Sequence, residues 1–172
     1  MAGHEAVKRG VAYLLGSQEK DGSWYGRWGV DYVYGTFLAM RGLAASAGGK
    51  PTRNVKEAID KAAGWLRMVQ NPDGGWGESC ASYALDRFAP APSSPSQTAW
   101  ALLGLRAAGD KDSSALRRGV QLLLERQRTD GGWPEEATTG TGFPNVFYLT
   151  YCMYRDYFPL LALAAVKGPA SS

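Results

Sequence analysis

One histidine, two cysteines and a modest share of charge are spread over 172 residues, and each scarcity removes a class of chemistry. His4 stands alone, so neither a histidine-rich metal centre nor a His-based catalytic triad can be assembled. Cys80 and Cys152 lie far apart in the chain, which gives no disulfide framework and no cysteine metal site. Reduced cytoplasmic thiols are the default, and neither a metal nor a cofactor is expected. Charged residues make up 20% of the chain, and the formal net charge of +3 is scattered without a dense basic cluster. That spread argues against a nucleic-acid partner. No stretch resembles a signal peptide, and the longest apolar run, Phe158 to Val166, is too short to span a bilayer.

What the chain does have is repetition. Gln18-Glu-Lys-Asp-Gly-Ser-Trp24, Gln70-Asn-Pro-Asp-Gly-Gly-Trp76 and Gln127-Arg-Thr-Asp-Gly-Gly-Trp133 share the pattern Gln-x-x-Asp-Gly-x-Trp. The tryptophans are 52 and 57 positions apart, the period of a helix-pair repeat. Before each glutamine comes a basic residue, a small one and an apolar stretch: Arg9-Gly10, Lys61-Ala62 and Arg118-Gly119 lead into them. These read as amphipathic helices stopped by an Asp-Gly turn, with Ala62 departing from the glycine of its siblings.

A second helix follows each turn. Thr36 to Leu43 and Thr98 to Leu105 superpose at a constant offset, and Pro159 to Val166 is a shorter third version. Few charges interrupt them, so most of their circumference must be buried. The expected fold is therefore all-α: an α/α toroid, half of an α6–α6 barrel, with three outer/inner helix pairs joined by Gln-Trp turns. Residues 1–168 are expected to form this single partial barrel domain, with Met1 to His4 a leader outside the repeats and 169–172 a disordered tail. Gln18, Gln70 and Gln127 are expected to satisfy free backbone groups of a neighbouring helix, and Trp24, Trp76 and Trp133 to stack on the capped ends. Their role is structural.

Two segments are too aromatic for ordinary connectors. One runs from Trp24 through Trp28 and Tyr32 to Tyr34, the other from Gly140 through Phe143, Phe147, Tyr148, Tyr151 and Tyr154 to Phe158. Each immediately precedes an inner helix, at the mouth of the expected ring. Phe147, Tyr151 and Tyr154 are spaced so that a helical turn would aim all three the same way. A hydrophobic plug closing the ring is the alternative reading of this pattern.

The three Gln-Trp repeats, Gly-Arg-Trp28-Gly-Val-Asp-Tyr-Val-Tyr34-Gly-Thr, Asp73-Gly-Gly-Trp-Gly-Glu78-Ser-Cys80, Pro95-Ser-Gln-Thr-Ala-Trp100 and Gly-Thr-Gly-Phe143-Pro-Asn-Val-Phe147-Tyr-Leu-Thr-Tyr151 together resemble the C-terminal part of squalene–hopene cyclase, from about residue 5 to 166. In that family a catalytic aspartate protonates squalene and a cascade of carbocations closes the rings of hopene. Aromatic faces suit such cations because they are electron-rich, non-basic and fixed in a dry cavity. The resemblance implies that Phe143 and Phe147 are cation-stabilising phenylalanines and that Tyr151 and Tyr154 are cavity tyrosines. It also implies that Trp28 is a cavity tryptophan and that Tyr34 belongs to the proton-donor network.

The same resemblance exposes an absence. The family's proton donor sits in an Asp-x-Asp-Asp motif, and the aspartates here, at 21, 31, 60, 73, 86, 110, 112, 130 and 156, form no such cluster. His4 does not replace the family's acid-partnering histidine. The isolated chain is therefore expected not to cyclise squalene, to need the missing N-terminal portion of a cyclase as its partner, and to self-associate through its exposed cavity walls. The parent protein is expected at the cytoplasmic side of a membrane surface, and the isolated piece in the cytoplasm. Three other readings remain: a standalone toroid module that binds an apolar ligand or protein, a prenyltransferase-like zinc enzyme and a glycosidase-like carboxylate pair. The second lacks ligands. The third would fall on Glu78, Glu135 or Glu136, which as residues after Trp turns read more simply as solvated or as repeat packing.

Overall fold

A computed structural model describes residues 4–167. The expectations for Met1 to Gly3 and for the 169–172 tail lie outside the described residues. Among those described, seven helices and one small hairpin follow the order α1 Glu5–Gly16, α2 Tyr32–Ser46, α3 Arg53–Met68, α4 Ala81–Leu85, α5 Pro95–Ala107, α6 Ser114–Arg126, β1 Gly140–Phe143, β2 Phe147–Leu149 and α7 Tyr154–Lys167. The three outer/inner pairs are present as α1/α2, α3/α5 and α6/α7.

The inner layer consists of α2, α5 and α7, with α5 packed between the other two. Its position explains its composition. Every residue of α5 from Pro95 to Leu105 is buried, whereas α7 buries only Phe158, Pro159 and Ala162. Gly104 is small because α2 and α3 press against it: a Cβ there would come within 2.9 Å of Leu66 and 3.3 Å of the Met40 sulfur. Outer helices α3 and α6 bury one stripe each, such as Val55, Ile59, Ala62 and Leu66 in α3. Their N-caps, Thr52 and Ser113, accept from the backbone N–H groups of Val55 and Leu116.

The Gln-Trp turns share one hydrogen-bond scheme, which the last turn keeps in part. In each, the indole N–H reaches back ten residues to a carbonyl near the end of its own outer helix. Trp24 donates to Leu14, Trp76 to Leu66 and Trp133 to Leu123, at 2.8, 2.7 and 2.8 Å. Asp21, Asp73 and Asp130 each accept from the N–H two residues on, closing a turn whose glycine (Gly22, Gly74, Gly131) has positive φ. Gln18 and Gln70 each bond their own turn and also the next outer helix, at the Ala58 and Ala115 carbonyls, both at 2.9 Å. Gln127 departs from this pattern. It is exposed and donates only to Gly131 of its own turn, because no further outer helix follows α6 among the described residues.

Candidate functional site

The aromatic segments occupy one end of the inner layer and sort into two groups. The first is built around Trp100 of α5, which is fully buried. Tyr34 meets it edge-on at 4.8 Å, and Tyr154 and Phe158 do so at 5.9 and 5.4 Å. Tyr151 stacks on Tyr154 at 4.7 Å, so three of the candidate tyrosines converge from α2, α7 and the loop before α7. Burial raises the pKa of Tyr34, although the Tyr154 hydroxyl beside it pulls the other way. Burial and the neighbouring hydroxyls push Tyr154 up to about 12. These phenols stay protonated at neutral pH. They are polarisable and non-basic, which is what a wall facing a cation needs.

The second group is exposed. Phe143 and Phe147 sit at the ends of β1 and β2, in edge-to-face contact at 5.5 Å, and are 57% and 45% exposed. The hairpin pairs Gly140 with Leu149, Thr141 with Tyr148 and Phe143 with Phe147, with a bulge between Thr141 and Phe143. Its turn passes through Asn145 at φ 63°, a left-handed position that asparagine tolerates. Gly142 and Gly140 are required here, since the Phe147 and Tyr151 rings occupy the space of their missing Cβ atoms. The Arg27 guanidinium lies 5.7 Å from the Phe143 centroid, so the ring already faces a cation. Trp28, next in sequence, lines a cleft of about 630 Å³ together with Tyr25, Tyr34 and Leu38.

The loop from Trp28 into α2 is strained. Gly29, Val30 and Asp31 all have positive φ, at 73°, 75° and 110°. A β-branched and an acidic residue hold that geometry only where the surroundings enforce it, at about 1–3 kcal/mol each. The enforcing group is Glu78, whose carboxyl oxygens accept from the N–H groups of Tyr32 and Val33 at 3.1 and 2.8 Å. It caps α2 from the following repeat and leaves the residue at the N-cap position, Asp31, without a capping bond. Glu135 does the same for α5, accepting from the Ser96 N–H and hydroxyl at 2.8 Å each. Burial drives all three carboxyls upward despite these donors, Asp31 to about 7 and Glu78 to about 8.

Sequence comparison fits the repeat and the aromatic segments alike. A profile of the squalene–hopene cyclase C-terminal domain matches residues 1–168. The chain belongs to the squalene–hopene cyclase family. It is 52% identical over 164 residues to the squalene–hopene cyclase of Zymomonas mobilis, covering 94% of this chain and 24% of that protein. To the enzyme of the same name from Alicyclobacillus acidocaldarius it is 53% identical over 164 residues, covering 95% and 25%. The chain thus spans about a quarter of the length of the curated relatives it matches. Among solved structures, ent-copalyl diphosphate synthase from Streptomyces platensis has a similar fold, with a TM-score of 0.60 at 21% identity over 92% of this chain and 27% of that one.

Within this squalene–hopene cyclase family chain, two sequence expectations need correction. Phe147, Tyr151 and Tyr154 do not lie on one helical turn. Phe147 is in a strand, Tyr151 in a loop, and α7 begins only at Tyr154. The strand is set by the Gly140-x-Gly142 pair and the Asn145 turn, features that favour a hairpin over a helix. Glu135 is not a solvated loop acid but a half-buried helix cap, Glu78 is buried within the packing of the repeat as a second cap, and only Glu136 is exposed. Their shared spacing, Trp-x-Glu at 76/78 and 133/135, was the available signal. Trp100, the hub of the buried cluster, was legible only as part of an apolar helix.

Proposed function

We propose that this chain forms half of the catalytic ring of a squalene–hopene cyclase and supplies aromatic wall for the carbocations of polycyclisation. The observation that carries the reading is the pair Phe143 and Phe147, held on the hairpin in edge-to-face contact with their rings exposed, in the segment that leads into the Tyr151–Tyr154 stack. Paired phenylalanines this exposed gain little from packing within this chain beyond their contacts with Gly142 and Arg27. They fit a cavity wall completed by other elements. Phe143 and Phe147 would face developing cations, with Trp28, Tyr151, Tyr154 and Tyr34 lining the space around them. A desolvated cation–π contact contributes about 2 kcal/mol, and about 1.36 kcal/mol is tenfold in rate.

Alkene protonation is a different matter. The buried carboxyls here, Asp31 and Glu78, hold their protons more tightly than ordinary acids, the opposite of what protonating an alkene requires. The initiating acid therefore comes from the N-terminal remainder of a cyclase, and the chain alone leaves squalene unchanged. That remainder would also cover exposed apolar residues at the edges of the array, including Tyr13, Leu38, Leu160 and Leu161, which otherwise drive self-association. Among the described residues no helix is long and apolar enough to cross a membrane.

The test is a chimaera in which this chain replaces the C-terminal quarter of the Zymomonas mobilis cyclase. Formation of hopene from squalene supports the reading. A folded chimaera that yields no cyclised triterpene overturns it.

A further inference from the structure

We propose that Tyr83 is a positioning residue that clamps the Trp28 loop to the Phe143–Phe147 hairpin and so fixes the shape of the wall. The assignment rests on the reading of these segments as a cyclase wall. Tyr83 belongs to α4, a single short helix in the connector of the second repeat, and none of the aromatic site residues is its sequence neighbour. Its side chain is nonetheless buried at the junction of the two aromatic segments, with 8% of its surface exposed.

The hydroxyl has two partners, one from each segment. It lies 2.8 Å from the Arg27 carbonyl and 2.8 Å from the Thr141 hydroxyl. The carbonyl can only accept, so Tyr83 donates its proton to Arg27 and accepts from Thr141. That assignment satisfies all three groups. It also uses the buried part of β1: Thr141 is fully buried, while Phe143, two residues on, is exposed because the bulge between them breaks the strand's alternation. The ring repeats the pattern of the hydroxyl. Its face stacks on Tyr148 of β2 at 6.0 Å and its edge meets Tyr25 at 6.3 Å.

Four contacts from one side chain thus tie residues 25 and 27 to residues 141 and 148. Each lies within three residues of Trp28 or within two of a wall phenylalanine. Arg27 closes the same junction from outside, with its guanidinium on the Phe143 ring. Neither segment is tied down by regular structure of its own beyond the two short strands. The separation between Trp28 and Phe143 is therefore set by Tyr83. Burial raises the Tyr83 pKa, so the phenol keeps the proton that the Arg27 bond needs.

Hydrogen exchange on this chain tests the clamp without any activity. In Tyr83→Phe, amides of residues 25–30 and of 140–149 should both exchange faster, by roughly fivefold, the factor expected for one net hydrogen bond. Protection in α3, α5 and α6 should stay unchanged. Faster exchange in only one segment, or in neither, overturns the proposal. Thr141→Val serves if Tyr83→Phe does not fold, and should loosen the hairpin alone. In the Zymomonas chimaera, Tyr83→Phe should raise the share of incompletely cyclised products and lower kcat while KM stays within about twofold. A fall in kcat with the wild-type product spectrum overturns the positioning role. If the unsubstituted chimaera makes no cyclised product, the cyclase reading falls and the exchange result alone decides the clamp.

Discussion

Gly119 of α6 lies under the Trp76 indole so closely that a Cβ would come within 2.8 Å of Cζ3 and 2.9 Å of a Leu102 methyl. Gly10 occupies the same place in the repeat, after Arg9 as Gly119 is after Arg118, yet a Cβ there meets nothing within 4 Å. One glycine is a packing requirement and the other only a weak point in a helix. Gly119→Ala should therefore cost about 1–3 kcal/mol through overpacking. Gly10→Ala should be neutral or stabilise by up to about 1 kcal/mol, the helix propensity gained. Urea unfolding of the two variants checks this, and equal midpoints would remove the argument.

The glutamines make a parallel contrast. Gln70 joins its own turn to α6 through the Ala115 carbonyl and also accepts from Arg118 at 2.6 Å, whereas Gln127 bonds only its own exposed turn. Gln70→Ala should destabilise the chain by about 1–3 kcal/mol, since a partly buried carbonyl and a guanidinium lose their partner. Gln127→Ala should stay within about 0.5 kcal/mol of the wild type. Thermal unfolding at matched concentration separates the two.

Stability should fall as pH rises from about 4 to 8. Asp31 and Glu78 have folded-state values of about 7 and about 8, above their ordinary 3.8 and 4.5. A carboxyl raised in this way binds its proton more tightly in the native state. Its contribution is full below the unfolded value and is lost as pH climbs through the folded one. The groups nearest Asp31 reinforce the shift, with Asp86 and Glu19 adding negative charge and only the Gly26 N–H opposing it. Asp31→Asn should flatten the slope and stabilise the chain at pH 8 by on the order of 2 kcal/mol, with little effect at pH 4. An unchanged slope in that variant would contradict the raised Asp31.

Phe143→Ala and Phe147→Ala should leave unfolding of this chain nearly unchanged, within about 0.5 kcal/mol, because both rings are largely exposed. In the chimaera each should reduce kcat by about tenfold or more and release partly cyclised products. A large loss of stability with unaltered products would instead make the hairpin phenylalanines structural.

The sequence by itself determined the architecture. The Gln-x-x-Asp-Gly-x-Trp spacing dictates a turn whose indole reaches one fixed carbonyl ten residues back, and that local geometry is the same in all three repeats. The apolar character of the three inner helices announced their burial, while the central place of α5 between the other two came from the fold. The aromatic segments were legible as more than connectors, because rings at that density exceed what a connector needs; a cavity wall is what the family resemblance implies.

Tertiary structure alone decided how these aromatic segments are held. Glu78 caps a helix that begins 46 residues before it, and Tyr83 bonds residues 56 and 58 positions away. No local period encodes such pairings. They exist because stacking of repeats brings the connector of one unit against the inner-helix entrances of its neighbours. Phe147, Tyr151 and Tyr154 show the same limit. Their spacing suits a helical turn, but the glycines at 140 and 142 and the left-handed Asn145 let the chain pair with itself as a hairpin, whose buried Thr141 then bonds Tyr83. Local turn chemistry, joined by the long-range bond from Thr141 to Tyr83, outweighed helical spacing in this segment.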